Sequence, residues 1–571
     1  MTKHSARAIA LYALAAFTLP LSLSAQQFPF GPPRPVPFLP GNLVVSRSVY
    51  DNQASNVTVG ETLPPNCVAA TGSCVTAAYD GAYPYVFNNA PIDGSFGITS
   101  RIYLDQITPF GWPISTLEVP NSLTRGLRPG SDQLVTSFSS KSELALNLST
   151  DHRYLTFMGY VAPVNAIDIS NSNTPGAVDD TDPVGENAYR AVARVDAWGN
   201  FTYTETNAYS GNNGRAAIYN NTGGANYYYT AGNAGNGSNP QPANVDLGAG
   251  AQFLYPSDKP EADQAPPAPS LPLASFSITQ LGFPADKIGK DDNFRGLTTY
   301  NNVVYYTKGS GSNGDNTVYF VDTTGAACPS GSGVPVAGAK LPSMPLAYDP
   351  STVTTDGLPS NMCVLAGFPV TSNKNKSTPA VNFPFGVWFA NPTTLYVADE
   401  GDGYTGGTDL YTHAAAQTLA GLEKWVLNTS TNTWSLAYTL TNGLEMGTPY
   451  SVHGYPTGDN LGTATTAVPA GLPWSPATDG LRNLTGQVNR DGTVTIWAIT
   501  STISGSGDTG ADPNKLVAIT DKLNDTTAVE SAHEQFFTLR TAAFGEVLRG
   551  VSFTPGTGVA DDGHGHDGFG W

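Results

Sequence analysis

The chain has 571 residues and a mass of 59.7 kDa, and its composition excludes several classes of protein. Hydrophobic residues make up 40% of it and charged residues only 13%, whereas about 25% is usual for charged residues in a soluble domain. This composition is typical of strand and turn, and it excludes a helical bundle or coiled coil. The 27 Lys and Arg against 46 Asp and Glu give a net charge of −19. Nucleic acid is excluded as the main partner, because like charges repel.

The first 25 residues have the pattern of a cleaved secretory signal. Lys3 and Arg7 precede an apolar run from Ala8 to Leu23, which ends in small residues. Pro20 interrupts this run, whereas a transmembrane helix needs about 20 continuous apolar residues. Cleavage would leave 25 Lys and Arg against 46 Asp and Glu, a net charge of −21. The sequence predicts a secreted or periplasmic protein with no membrane span in the mature chain.

The four cysteines form two local pairs in loop-like sequence, Cys67 with Cys74 and Cys328 with Cys363. Two disulfides fit an oxidising compartment. Four cysteines allow three pairings, and the local pairing is favoured because each pair lies within one structural unit. A zinc site is excluded, because the cysteines lack C-x-x-C spacing and adjacent histidines.

The sequence predicts one all-β domain over residues 42–555. Residues 26–41 are rich in proline, which lacks the N–H donor of a sheet ladder, so they form an entry tether. Short alternating runs bounded by Gly, Asn, Asp and Pro fill residues 42–555. Residues 556–571 form a flexible tail rich in Gly and His, where His564 and His566 have no packed surroundings to hold a metal.

Several segments of this domain share one pattern: a small or Arg-Gly start, a short apolar strand, a turn, and a second strand rich in Tyr, Val and Thr. Strand pairs that cannot bury both faces alone, repeated radially, make a single β-propeller. The copies start at residues 141, 215, 295, 386, 482 and 549, which predicts six blades. Seven blades remain the alternative, because the long spacings can contain another copy.

The two ends of the domain are complementary. The last copy, Leu548–Phe553, has no second strand after it, whereas the N-terminal strands Asn42–Arg47 and Gly97–Tyr103 lack an inner partner. A ring that is closed by pairing the N- and C-terminal strands accounts for both observations.

The copy from Pro384 to Trp425 begins Pro-Phe-Gly-Val and leads to the strand Leu395–Asp399. It resembles the NHL-type and related six-bladed propeller repeats. The resemblance implies a third strand at Gly421–Trp425 and a fourth at Thr433–Tyr438. Such propellers include enzymes and pure binding proteins, so the resemblance implies a fold and no particular activity.

A cation recurs at one position of the repeat, and equivalent positions in a ring face one axis. These residues are Arg215, Arg295, Arg482 and Arg549, with Lys141 near the equivalent place and Asn293 beside them. Guanidinium groups gathered at one channel mouth would bind a carboxylate, phosphate or sulfate. The alternative is that each arginine pairs with a loop carboxylate, for which Asp291, Asp292 and Glu546 are near in sequence.

The acidic loop that follows Leu395–Asp399 is a second candidate site. Asp399 and Asp402 lie on Gly-rich sequence, and Ca²⁺ takes about 6–8 oxygen ligands. In many six-bladed propeller enzymes a calcium ion lies in the channel, and by position Asn147 and Asn483 could contribute to such a site. The alternative is that these acids are solvated turn residues.

His152, in the turn after a predicted inner strand, is the candidate catalytic base. No nucleophile elbow, zincin motif or Walker loop accompanies it. The sequence therefore predicts a binding or scaffold propeller that takes a small anionic or carbohydrate ligand, or a cell-surface protein, at the channel mouth. The alternative is a calcium-dependent hydrolase or lyase that acts on a lactone, an ester or a glycan.

Overall fold

The structure, a computed structural model, describes residues 37–558 with gaps, the longest of which are 64–74, 77–97, 168–187, 234–249, 263–273, 276–292 and 343–361. The predicted signal peptide, Cys67, Cys74, most of the tether and the tail from residue 559 lie outside the described residues. The predictions for these segments stay predictions.

The described elements are nearly all strands, which confirms the all-β prediction. The exceptions are a short α-helix, α1 (Leu410–Ala416), and a 3₁₀ turn (Glu530–His533). No helix in the described part of the chain has the length and apolar character needed to cross a membrane. The strands, in chain order, are β1 (Leu43–Val49), β2 (Thr62–Leu63), β3 (Val75–Thr76), β4 (Thr99–Ile107), β5 (Pro113–Glu118), β6 (Leu134–Ser137), β7 (Asn147–Leu148), β8 (Tyr154–Val161), β9 (Arg190–Asp196), β10 (Phe201–Thr206), β11 (Gly214–Asn220), β12 (Tyr227–Gly232), β13 (Ala251–Leu254), β14 (Ala274–Ser275), β15 (Leu297–Tyr300), β16 (Val303–Lys308), β17 (Thr317–Val321), β18 (Ser332–Gly333), β19 (Met362–Leu365), β20 (Pro384–Asn391), β21 (Thr394–Asp399), β22 (Gly421–Asn428), β23 (Thr433–Leu440), β24 (Ala477–Val488), β25 (Thr493–Ile503), β26 (Lys515–Lys522), β27 (Phe537–Thr541) and β28 (Glu546–Phe553).

Four sheets are separate antiparallel blades of a β-propeller. Blade 3 is β11-β12-β13-β14, blade 4 is β15-β16-β17-β19, blade 5 is β20-β21-β22-β23 and blade 6 is β24-β25-β26-β27. Strand β18 adds to blade 4 by parallel pairing with β19. Strands β22 and β23 confirm the third and fourth strands that the repeat from Pro384 implied.

A nine-stranded sheet contains two further groups of four strands, and β6 joins them by pairing with both β4 and β8. Blade 2 is β7-β8-β9-β10. Blade 1 is β28-β1-β4-β5, in which β28 comes from the C-terminal part of the chain and β1 from the N-terminal part. Leu43 lies opposite Phe553, and Val49 lies opposite Glu546. The predicted closure of the ring is therefore confirmed.

The first strands of the blades contact one another in a closed cycle: β28, β7, β11, β15, β20, β24 and again β28. Counted by these inner strands, the described residues contain six blades. Each of six hydrophobic clusters lies between two successive blades. For example, Tyr396 and Leu422 of blade 5 pack with Ile496 and Val517 of blade 6. The core is thus distributed over the blade junctions.

Local chemistry sets the hairpin between the first two strands of blade 4. Asn301 and Asn302 have φ angles of 47° and 63°, and asparagine adopts this left-handed region at lower cost than most residues. The resulting two-residue turn places Tyr300 opposite Val303. Asn301 and Asn302 are thereby held at the end of an inner strand, beside the channel.

One predicted disulfide is present: Cys328 and Cys363 are bonded, with Cα atoms 6.1 Å apart. Cys363 lies on β19, and both cysteines are buried in the cluster between blades 4 and 5. The bond therefore ties the loop after β17 to the outer part of blade 4.

The inner strands approach so closely that small residues are required at their contacts. A Cβ atom on Gly550 would lie against the carbonyl oxygen of Leu144, and one on Gly386 against that of Arg482. We predict that Gly550→Ala lowers the free energy of unfolding by about 1–3 kcal/mol, because the backbone of blade 1 or blade 2 must shift. Denaturant unfolding measures this change.

Gly406→Ala is the matched control, because a Cβ there meets only the half-buried ring of Tyr404. Equal stability of the Gly550→Ala variant and the wild type would contradict the closed inner ring.

Candidate functional site

The recurrent cations gather around one buried carboxylate, Glu400, which follows β21. Glu400 Oε2 lies 3.1 Å from Lys141 Nζ and 3.3 Å from Arg482 Nε. Arg295 and Arg215 act on the same carboxylate electrostatically. We call these five residues the Glu400 cluster. Glu400 is 2% exposed and the three arginines are 3–6% exposed, so these four residues are enclosed by protein, whereas the side chain of Lys141 is 25% exposed.

The charges of the cluster strongly affect one another. Burial alone would raise the pKa of Glu400, but Lys141, Arg482 and Arg295 outweigh it and lower this pKa to about 2. Burial lowers the pKa of Arg295 to about 10, and Arg482 contributes to this shift. Burial, with Arg295 and Arg482, also lowers the pKa of Lys141 to about 8. Glu400 is therefore the anion that makes the burial of these cations tolerable.

The remaining predicted ligand groups also make internal contacts. Arg215 donates to the side chain of Asn293 and, at 2.7 Å, to the carbonyl oxygen of Phe294. Arg549 donates to Ser48 Oγ at 3.2 Å and to the carbonyl oxygen of Phe138. The Arg215 contacts reach the segment that leads into blade 4, and the Arg549 contacts reach β1 of its own blade and the segment after β6. None of these four partners is a carboxylate.

The carboxylate partners that the sequence suggested were different ones. Glu546 pairs with Arg47 at 2.5 Å on the outer side of β28 and β1, and not with a recurrent arginine. Asp291 and Asp292 lie outside the described residues. The carboxylate partner of these cations is Glu400. It is far from each of them in sequence, so the sequence alone did not reveal the pairing.

Asp399 and Asp402 form their contacts within or beside their own loop. Asp399 accepts hydrogen bonds from the backbone N–H groups of Phe383 (2.5 Å) and Gly401 (2.9 Å). Asp402 contacts His413 Nε2 of α1 at 2.6 Å. Burial raises the pKa of Asp399 to about 7, so its negative charge is disfavoured. These contacts are those of turn carboxyls, but Asp399 is 1% exposed and therefore not solvated.

Among the described residues, one group of three His, Cys, Asp or Glu has its ligand atoms within 4.8 Å of one another: Asp322, Cys328 and Cys363. The two cysteines are joined in the disulfide, so this group is not a metal site. The calcium site stays a prediction of the sequence.

A cavity of about 480 Å³ lies between the inner strands, beside the part of each strand that follows the recurrent arginine position. All six inner strands contribute to it. Its lining includes one residue from each inner strand in turn: Leu148, Ile218, Thr298, Trp388, Thr485 and Ser552. We call this space the channel cavity.

The described lining of the channel cavity contains no Asp, Glu, Lys or Arg. Its polar groups are amides and hydroxyls, including Asn147, Asn483, Thr298 and Thr485. The Asn483 amide donates to the carbonyl oxygen of Arg549 at 2.7 Å, which fixes its orientation. Half-buried Trp388 adds an aromatic face. The cavity can therefore form many hydrogen bonds but offers no counter-charge.

His152 lies at the rim of the channel cavity and is exposed. Its φ of 62° places it in the left-handed region, and its Nδ1 lies 3.0 Å from the carbonyl oxygen of Thr557. A proton on Nδ1 would leave Nε2 as an acceptor directed elsewhere. The sequence thus predicted three residues that line the cavity, namely His152, Asn147 and Asn483, but assigned them to base and metal roles.

These features define the chain as a β-propeller with an enclosed charge cluster and a polar channel cavity. No protein family matches it by sequence, and no curated protein does either. The resemblance to NHL-type repeats is therefore not supported beyond the propeller fold itself.

Solved propeller structures align with the chain at low identity. A provisionally assigned 6-phosphogluconolactonase from Bacteroides uniformis is 10% identical, over 79% of this chain and 95% of that one, with a TM-score of 0.31. A complex of NanB with Optactamide is 7% identical, over 87% and 72% of the two chains, with a TM-score of 0.34. Both TM-scores are below 0.5, so the propeller assignment depends on the strand pairing of this chain.

The structural role of the Glu400 cluster can be tested by measuring stability. We predict that Glu400→Gln lowers the free energy of unfolding at pH 7 by about 3–5 kcal/mol, because it leaves buried cations without their anion. The folded-state pKa of about 2 lies below the ordinary glutamate pKa of 4.5. The wild-type advantage is therefore full above pH 4.5 and is lost as the pH falls towards 2. Denaturant unfolding at several pH values measures it.

Glu118→Gln is the matched control, because Glu118 is 41% exposed and lies 3.8 Å from Arg101 at the surface. Such a pair contributes about 0–1 kcal/mol. If Glu400→Gln were no more destabilising than Glu118→Gln, the enclosed cluster would not be the structural element described above.

Proposed function

We propose that this protein is an exported binding propeller whose channel cavity takes a neutral, hydroxyl-rich ligand such as an oligosaccharide. The main observation in support is that the described lining of the cavity contains no Asp, Glu, Lys or Arg. An anionic ligand there would lose its hydration without gaining a counter-charge, which is unfavourable. A neutral saccharide would exchange water for amide and hydroxyl partners.

The composition of the lining supports this ligand class. Asn147, Asn483, Thr298 and Thr485 provide donors and acceptors from three different blades, which can converge on one ligand. Trp388 provides a face on which the apolar side of a sugar ring can stack. The volume of about 480 Å³ lies in the range of small-molecule sites.

The recurrent arginines have a structural role and do not bind the ligand in this proposal. They support the inner ring through Glu400, and their enclosure argues against a direct role in capturing an anionic ligand. Export is supported by the Cys328–Cys363 disulfide together with the signal-like N-terminal sequence.

A hydrolase or lyase is less well supported. The described lining of the cavity holds His152 but no carboxylate that could act as its partner or hold a metal ion. General acid–base catalysis needs such groups within hydrogen-bonding reach of the substrate.

We predict that an array of neutral oligosaccharides gives at least one binder, and that Trp388→Ala weakens it about tenfold. Loss of stacking worth about 1.4 kcal/mol corresponds to this factor. Calorimetric titration of the best array ligand into both proteins measures the change.

Trp198→Ala is the matched control, because Trp198 is 68% exposed and does not line the cavity. Its affinity should equal that of the wild type. Equal affinities of the wild type and Trp388→Ala for the array ligand would contradict binding in the channel cavity.

A further inference from the structure

A second group of buried charges lies at the junction of blades 5 and 6, away from the channel. Lys424 on β22 and Asp521 on β26 are both 0% exposed, and Lys424 Nζ lies 2.8 Å from Asp521 Oδ2. Lys424 stands opposite Tyr396 on one neighbouring strand and opposite Tyr438 on the other. Three side chains of blade 5 thus face one carboxyl group of blade 6.

The amine of Lys424 is held in a reactive orientation. It donates to Tyr438 Oη at 2.9 Å and to the carbonyl oxygen of Lys522 at 2.7 Å. The third hydrogen of the ammonium group is directed towards Asp521. Because the other two hydrogens have acceptors, loss of the third proton to a carboxyl group leaves the nitrogen lone pair directed at Asp521.

The carboxyl group of Asp521 is polarised by two phenols. Tyr438 donates to Oδ1 at 2.6 Å, and Tyr396 donates to Oδ2. Both tyrosines are buried. Preorganised donors on both oxygens would stabilise the negative charge that develops when a nucleophile adds to the carboxyl carbon.

A second carboxyl group, Glu534, completes the arrangement. Its Oε2 atom is buried, and no donor among the described residues reaches it. Burial, with Asp521 nearby, raises the pKa of Glu534 to about 8, so it is protonated at neutral pH and can share its proton with Asp521. Its other oxygen accepts the backbone N–H of Lys522 at 3.0 Å, which fixes the group in place.

We propose that Lys424 and Asp521 form an intramolecular isopeptide bond, with Glu534 as the proton relay. The ammonium of Lys424 gives one proton to the carboxyl pair, and Nζ then attacks Cγ of Asp521 to form the N–C bond. Oδ1, which accepts the hydrogen bond of Tyr438, takes the electron pair. Glu534 protonates the other oxygen, the C–O bond breaks, and water leaves while the second amine proton returns to Glu534.

The reaction needs no co-reactant. An ammonium and a carboxylate become a secondary amide and one molecule of water, and Glu534 ends in the protonation state in which it began. Enclosure of the site favours this outcome, because loss of water from a buried ion pair removes two charges from a low-dielectric interior. The bond would join the third strands of two successive blades and lock their junction.

The test is mass spectrometry of the full-length purified protein after digestion with trypsin and a second protease. We expect a branched peptide that joins the Lys424 and Asp521 segments and is lighter by one water than the sum of the two linear peptides. Trypsin should not cleave after Lys424. Complete cleavage there, with both linear peptides present and no branched product, would show an ordinary buried ion pair and overturn the proposal.

Glu534→Gln separates the chemistry from the fold, since it keeps the ion pair but removes the relay proton. General acid–base catalysis contributes about a hundredfold or more to rates, so the linked fraction in freshly purified protein should fall and rise slowly on incubation. Glu530→Gln is the matched control, because Glu530 is exposed and bonds the backbone of Thr526 and Thr527. Linking of Glu534→Gln as complete as that of Glu530→Gln would overturn the role of Glu534.

Discussion

The pairing of β1 with β28 is the constraint on which the rest of the structure depends. An inner strand of a propeller is buried only when it has neighbours on both sides, so a ring with a break exposes two strand edges and two hydrophobic faces. Here the first blade takes its inner strand from one end of the chain and its other strands from the other end. Closure therefore requires nearly the whole chain, and it aligns the six inner strands in one phase.

This common phase divides the channel into two levels of different chemistry. At one level the strands meet through Gly386 and Gly550, and three of the four recurrent arginines act on Glu400. Beyond that level the strands diverge around an uncharged space that contains Trp388 and Thr485. The charged level stabilises the ring, which leaves the uncharged level available for a ligand. The functional proposal follows from this separation.

The periodic part of the structure could be predicted from sequence. Alternating Tyr, Val and Thr runs located the second strand of each copy that has one, and the unpaired Leu548–Phe553 and Asn42–Arg47 located the closure. The phase of the arginines also predicted that they share a level. These features depend on local pattern and on repetition, both of which are visible in one sequence.

The site could be predicted only in part, because its pairings are not local. Glu400 and Asp399 are adjacent, yet one neutralises Arg482 and the other accepts backbone N–H groups from its own blade. Nothing in the spacing distinguishes them. The cavity residue Thr485 had a usable signal, since it is the third residue after Arg482, as Thr298 is after Arg295, but only the structure shows that these residues line the cavity.

The charge pair at the junction between blades 5 and 6 could not be predicted from the sequence either. Lys424 and Asp521 are separated by nearly a hundred residues, and each has an oppositely charged neighbour in the sequence, Glu423 and Lys522 respectively. Only the packing of the two blades reveals that they are partners with Glu534. The blades are thus linked both by non-local charge pairs and by their hydrophobic clusters.

The most direct test is a crystal structure of the protein, determined from crystals that have been soaked with the best neutral oligosaccharide from the array. The account predicts ligand density in the channel cavity, against Trp388 and within hydrogen-bonding distance of Asn483 or Thr485, with the Glu400 cluster still enclosed. Ligand density beside Arg295 and Arg482, with Glu400 displaced, would contradict it.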